Sequence, residues 1–379
     1  MDFDLTDEQR LLKNSVDRLM ADAYDFEARK RHAAEPGGFS RKLWGRYAEL
    51  GLLALPFAED DGGIGAGSVE TMLVMEAFGR GLVLEPYLAT VVLGGGFLRR
   101  ASDAQRGRLL PGLMEGTRLM AFAHGERQAR YDLQDVATGA RRDGGGFVLE
   151  GEKSLVLHGE AADTLVVSAR IAGGRRDRDG IGLFLVPADA PGLSRRGYRT
   201  QDGLRAAEIA LSSVRVGPED VLAEDALALI ERVVDEAVAA LCAEAVGGMA
   251  EMHALTVDYM KTRKQFGVAI GSFQALQHRA VDMFVALEQA RSMSYLATMM
   301  AGEADAETRA RAIAAAKVQV GRSAKVVGQG AVQLHGGVGM TMEYKVGHYF
   351  KRATMIDTLF GDADHHLARL AALGGLMAA

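Results

Sequence analysis

A chain of 379 residues exceeds what one hydrophobic core usually supports, so two or three domains are expected. With 48% hydrophobic and 25% charged residues it has an ordinary globular make-up, and a formal charge of −6 gives no footing for nucleic acid or an anionic membrane surface. One cysteine excludes an internal disulfide framework, and no apolar run reaches the roughly 18 residues of a membrane span, so a cytoplasmic enzyme is expected.

Thr6-Asp-Glu-Gln predicts a helix start, a threonine N-cap followed by acids in the first turn. Helical periodicity continues through Leu11, Leu12, Val16, Leu19 and Met20. A second helix carries Leu43, Trp44 and Tyr47 and stops at Gly51; further helices follow at about 68–79, 86–100 and 103–115. Short β patterns begin at Leu119 and recur to about Leu211, separated by turns such as Asp143-Gly-Gly-Gly. Strands in succession without helices between them predict an antiparallel sheet or small barrel. From Ala226 the helical period returns, with Ala, Leu, Val and Met spaced as in a four-helix bundle. The expected fold class is α+β: a helical domain over 1–118, a β domain over 119–222 and a helical bundle over 223–379.

Within the bundle, residues 237–250 are apolar on nearly every side and carry one charge, Glu244. A helix hydrophobic all round is a buried one, and a buried carboxylate is costly unless paired or put to use. A polar and aromatic block follows, Arg263-Lys-Gln-Phe-Gly-x-x-Ile-x-x-Phe-Gln. Arginine offers a fixed fork of donors suited to a pyrophosphate. The run Gln333-Leu-His-Gly-Gly-Val-Gly-Met-Thr places glycines where a backbone can come close to a phosphate.

In these blocks and in Phe147-Val-Leu-Glu-Gly-Glu-Lys-Ser-Leu-Val-Leu-His-Gly the chain resembles the acyl-CoA dehydrogenase flavoprotein superfamily over essentially its whole length. The three match the family elements RxxFGxxIxxFQ, QxxGGxG and YxxNGxKxWITNG in the expected order. The resemblance implies FAD as cofactor and an acyl-CoA thioester as substrate. It also implies an acceptor of the electron-transfer flavoprotein type and an assembly with itself or with a related dehydrogenase subunit. It assigns Arg263, Gln265, Phe266, Phe273, Gln274, Gln333, Gly336 and Gly337 to the adenosine and pyrophosphate of FAD, and Phe122, Ala123, Gly125, Leu155 and Leu157 to the flavin. No metal is implied.

The departures concern the catalytic base. The family places its glutamate in an aromatic-Glu-Gly-Thr turn, where this chain reads Phe360-Gly-Asp-Ala. Gly361 therefore keeps the backbone N–H that the resemblance assigns to the thioester oxygen but has no carboxylate. A base must be a desolvated carboxylate of raised pKa. Glu244 is the leading replacement, two turns along its helix from Ala237, where some members keep their base; a structural pair with Arg232 or Arg352 is the alternative. Asp362 is second, or else a helix N-cap. The same departures leave a non-catalytic or half-catalytic subunit of a heteromeric dehydrogenase for steroid-type or dicarboxylic thioesters as the alternative function. A monooxygenase-like relative is a third.

Overall fold

The computed structural model describes residues 4–375. They form two compact units: residues 32–67 with 84–237, and residues up to 31 with 68–83 and the chain from 238 on. In chain order the helices before the sheet are α1 (Asp7–Ala23), α2 (Phe26–Ala34), α3 (Arg41–Glu49), α4 (Ser68–Gly81), α5 (Gly95–Leu98) and α6 (Asp103–Met114). The strands β1 (Met120–Ala123), β2 (Gly139–Asp143), β3 (Gly146–Leu157), β4 (Thr164–Arg170), β5 (Ile181–Pro187), β6 (Leu193–Arg199), β7 (Arg205–Val216) and β8 (Val221–Ala223) follow. Then come α7 (Leu227–Thr262), the hairpin β9 (Lys264–Gln265) and β10 (Val268–Ala269), α8 (Gln274–Met300), α9 (Ala306–His335), α10 (Lys345–Thr358) and α11 (Ala363–Ala372).

In the first unit the strand order is β6-β7-β3-β2-β4-β5-β8, with β1 added beside β4. The sheet is open, so the barrel alternative falls, and it is mixed: β1 and β2 run parallel to β4, while the other ladders are antiparallel. The segments expected as two strands at 147–151 and 153–157 are one strand, bulged after Leu149 and after Lys153. A bulge inserts an extra residue and bends the strand without ending it. Phe147, Leu149, Leu165, Val167, Phe184 and Ile209 fill the core on one face. The expected helix at 86–100 is a π-turn over Leu88–Gly94 followed by α5. It lies so close to β1 that a Cβ on Gly94 would stand 2.6 Å from that of Met120.

In the second unit α1 starts at the expected Thr6, whose hydroxyl accepts from Gln9 N while the Gln9 side chain returns to Thr6 N, a capping box. Helix α2, Phe-Glu-Ala-Arg-Lys-Arg-His-Ala-Ala, has no apolar period; a tertiary contact holds it, Arg29 Nε donating to Leu82 O at 2.8 Å. Helices α4 and α7 cross at two glycines. A Cβ on Gly79 would lie 1.9 Å from Glu244 O, and one on Gly247 1.9 Å from Glu76 O. Both obstacles are backbone, which cannot rotate away. Gly247→Ala is therefore expected to lower stability by about 1–3 kcal/mol, the usual cost of overpacking. The midpoint of urea unfolding measures it, and an unchanged midpoint would mean that the crossing yields freely. Among the described residues no helix is long and apolar enough to cross a membrane.

Candidate active site

In the first unit the end of β1 meets the middle of β3. Ser154 N donates to Gly125 O at 2.8 Å, bringing the predicted residues Phe122, Ala123 and Gly125 beside Leu155 and Leu157. Among the described residues strand β1 pairs with β4 alone, which leaves its other edge without a strand. Leu155 is exposed and held at φ +52°, a conformation a leucine adopts only when its surroundings impose it. Phe122 and Ala123 are buried, the Phe122 ring stacked on His124 with centroids 5.2 Å apart.

Beneath this corner lies a buried polar network centred on Lys153, whose role the sequence does not single out. Lys153 Nζ donates to Glu126 Oε1 at 2.6 Å, Ser168 Oγ at 3.1 Å and His124 O at 3.3 Å. Glu126 also accepts from Ala137 N, Thr138 N and Gln128 Nε2. Burial by itself lifts the Glu126 carboxyl, but Lys153 and these donors bring it down to about 2. Burial lowers Lys153 to about 8 against the pull of Glu126, and burial reinforced by Lys153 lowers His124 to about 3. The network ties residues 124–126 to 153–154 and so fixes the backbone of the corner.

In the second unit the predicted adenosine and pyrophosphate residues come together at the ends of α7 and α9. Arg263 N donates to Tyr259 O at 2.8 Å, and the Tyr259 ring stacks on His335 at 4.4 Å. The hairpin of β9 and β10 therefore stands next to the turn after α9. Arg263, Gln265, Phe266, Phe273, Gln274, Gln333, Gly336 and Gly337 are all exposed, Phe266 at 91%. No ion pair engages the Arg263 guanidinium among the described residues. Nothing lies within 4 Å of where a Cβ would stand on Gly336 or Gly337, so a ligand can approach that backbone closely. An exposed arginine and exposed aromatic rings on the hairpin, together with an open glycine turn after α9, fit an anionic dinucleotide.

Glu244 occupies the place the alternative reading gave it. Arg352 Nε donates to Oε1 at 2.6 Å and Nη2 to Oε2 at 2.7 Å, both side chains buried. A carboxylate gripped on both oxygens by a guanidinium is the arrangement of a structural ion pair. Asp362 is the N-cap of α11, its Oδ1 accepting from His365 N at 2.8 Å. Both carboxylates singled out as bases are thus engaged by the protein. The turn between α10 and α11 holds Phe360 at φ +56° and Gly361 at φ +109°. Lys317, fully buried, donates to the carbonyls of Ile356, Asp357 and Leu359 just before it. Its signal was present in the sequence, a lone lysine in Ile313-Ala-Ala-Ala-Lys-Val, of the same kind that drew attention to Glu244. Among the described residues no cluster of three or more His, Cys, Asp or Glu side chains could hold a metal.

Comparison with known proteins agrees along the whole chain. Residues 6–117, 121–214 and 226–373 match the N-terminal, middle and C-terminal domain models of acyl-CoA dehydrogenase. The acyl-CoA dehydrogenase FadE12 of Mycobacterium tuberculosis is 30% identical over 358 residues, covering 90% of this chain and 89% of that protein. Among solved structures, a variant of the Tcur3481-Tcur3483 steroid ACAD is similar at 29% identity and a TM-score of 0.88, over 97% of each chain. The FAD complex of PigA is similar at 28% identity and 0.90, over 99% of this chain and 100% of that one. On the three domain models and the full-length relatives together, the chain belongs to the acyl-CoA dehydrogenase family.

Proposed function

We propose that this chain serves the α,β-desaturation of an acyl-CoA thioester with FAD as its cofactor and an acceptor of the electron-transfer flavoprotein type. The observation that carries the reading is the exposed Arg263 at the end of α7, one turn after Tyr259, whose ring stacks on His335 just before the open Gly336–Gly337 turn, in a family whose relative PigA has been solved with FAD. FAD, when bound, supplies the hydride acceptor for the substrate Cβ. Arg263, Gly336 and Gly337 hold its pyrophosphate, and Gln265, Phe266, Phe273, Gln274 and Gln333 its adenosine side. Backbone groups of Phe122, Ala123, Gly125, Leu155 and Leu157 line the flavin, since the leucines offer no polar side chain. The Gly361 N–H meets the negative charge that develops on the thioester oxygen as Cα loses its proton, the kind of donor that stabilises such a transition state most.

A second reading concerns the base, and the engagement of Glu244 by Arg352 and of Asp362 by His365 N favours it. In this reading the chain is the half-catalytic member of a heteromeric dehydrogenase, and a related subunit brings the carboxylate. The similar Tcur3481-Tcur3483 protein is a steroid ACAD of two named components, which supports a bulky acyl group. Purification decides between them. A yellow protein that bleaches anaerobically on adding acyl-CoA supports a self-sufficient enzyme. A protein that bleaches only after mixing with the product of a neighbouring gene supports the divided one. No bleaching in either preparation with a panel of acyl-CoA thioesters would overturn the desaturase reading.

A further inference from the structure

The turn that carries Gly361 is built around a histidine on the following helix. His366 is 1% exposed, and its Nε2 lies 2.9 Å from Phe360 O. A carbonyl only accepts, so Nε2 carries the proton and the imidazole is the donor. Nδ1, the other ring nitrogen, is buried and has no partner among the described residues, as suits a neutral ring in this tautomer. Burial first, and Lys317 second, keep that ring neutral by lowering its pKa to about 3.

The hydrogen bond fixes more than a carbonyl. Phe360 C=O and Gly361 N–H belong to one peptide unit, and no peptide bond among the described residues is cis. In a planar trans peptide the two groups point in opposite directions. Holding Phe360 O toward His366 therefore turns the Gly361 N–H the other way, and that N–H has no acceptor among the described residues. The turn needs such a hold, because Phe360 at φ +56° is a bulky residue in the left-handed region, where it is strained. Lys317 holds the chain before the peptide and the Asp362 cap holds it after, so His366 completes the grip at the strained residue itself.

The glycine and the histidine also exclude alternatives. A Cβ on residue 361 would stand 2.5 Å from His365 Cδ2 and 2.8 Å from His366 Nε2, the very atom that donates to Phe360 O. Any side chain at position 361, a glutamate included, would have to displace the imidazole or the turn. The loss of the side chain at 361 and the presence of the ring at 366 are therefore one arrangement.

We propose that His366 is a positioning residue for the desaturation: through Phe360 O it aims the Gly361 N–H as the fixed donor to the thioester oxygen. This rests on the reading above that the thioester oxygen lies at Gly361. The test uses the purified holoenzyme, with its partner subunit if bleaching requires one, and acyl-CoA labelled with ¹³C at the thioester carbonyl. Difference infrared spectroscopy then reads how strongly the bound carbonyl is polarised. In the parent protein the stretch falls below that of free acyl-CoA. His366→Phe, which keeps the bulk and removes the donor, is expected to lose that shift. Its kcat should fall on the order of 10²-fold with KM little changed, as when an oxyanion donor is lost. His366→Gln, which can present an N–H near the same place, is expected to recover the shift and most of the rate.

A folded His366→Phe protein with the parent's carbonyl shift overturns the positioning role. So does one whose only change is a lower melting temperature. If His366→Phe does not fold, Gly361→Ala gives the second reading, since its methyl group strikes the imidazole; loss of the shift supports the proposal and an unchanged shift overturns it. A parent protein that binds acyl-CoA with no carbonyl shift at all overturns instead the placement of the thioester at Gly361.

Discussion

Glu244→Gln is expected to lower the free energy of unfolding by roughly 3–5 kcal/mol, the range found when one partner of a buried ion pair is removed. The reason is what it leaves behind. Arg352 is buried and directs two donors at the Glu244 carboxylate, so a neutral amide takes the opposing charge away from a guanidinium held out of water. Glu244→Leu combined with Arg352→Met should recover most of the loss, because removing both charges removes the desolvation cost with them. Urea unfolding followed by far-ultraviolet circular dichroism measures all three proteins. A Glu244→Gln protein of parental stability that binds FAD and no longer reduces it would return Glu244 to the role of base.

Lys153→Met is expected to be about as damaging, again roughly 3–5 kcal/mol. Glu126 would keep its amide donors but lose the ammonium 2.6 Å away, inside the β domain. The same network sets the response to acid. Glu126 has a folded pKa of about 2 against an ordinary 4.5, so its stabilisation is complete above the ordinary value and is lost as pH falls toward 2. His124, lowered from 6.5 to about 3, binds its proton more readily unfolded than folded between those values, so stability falls as pH drops through that window. His366 adds to the same window with the same sign. Lowering the pH from 7 to 4 should therefore reduce the urea midpoint steadily, and His124→Asn should flatten the slope. A midpoint independent of pH across that range would show that neither imidazole is held neutral by the fold.

The order of helices, strands and helices was legible because periods of 3.6 and 2 are local properties of a chain. The grouping of the residues expected at the adenosine and pyrophosphate of FAD was legible for a related reason. Arg263 to Gln274 is one continuous stretch around a hairpin, and Gln333 to Gly337 is another, so spacing alone keeps each set together. Helix α2 was not legible, since its nine residues carry no apolar stripe and its anchor is a backbone carbonyl on another segment. The open edge of the mixed sheet was equally hidden, because strand order depends on which edges find each other and not on the alternation within a strand.

At the candidate site the division falls in the same place. Sequence alone established that Glu244 is a charge on a buried helix and that position 361 has no side chain, since both follow from residue type and pattern. It left open whether Glu244 abstracts a proton or closes an ion pair. Only the tertiary structure put Arg352, 108 residues away, against both of its oxygens, and stood His366 where a Cβ on Gly361 would be. Those pairings depend on how helices cross and how each is rotated about its axis, and a difference of one residue in phase would have turned either side chain to another neighbour.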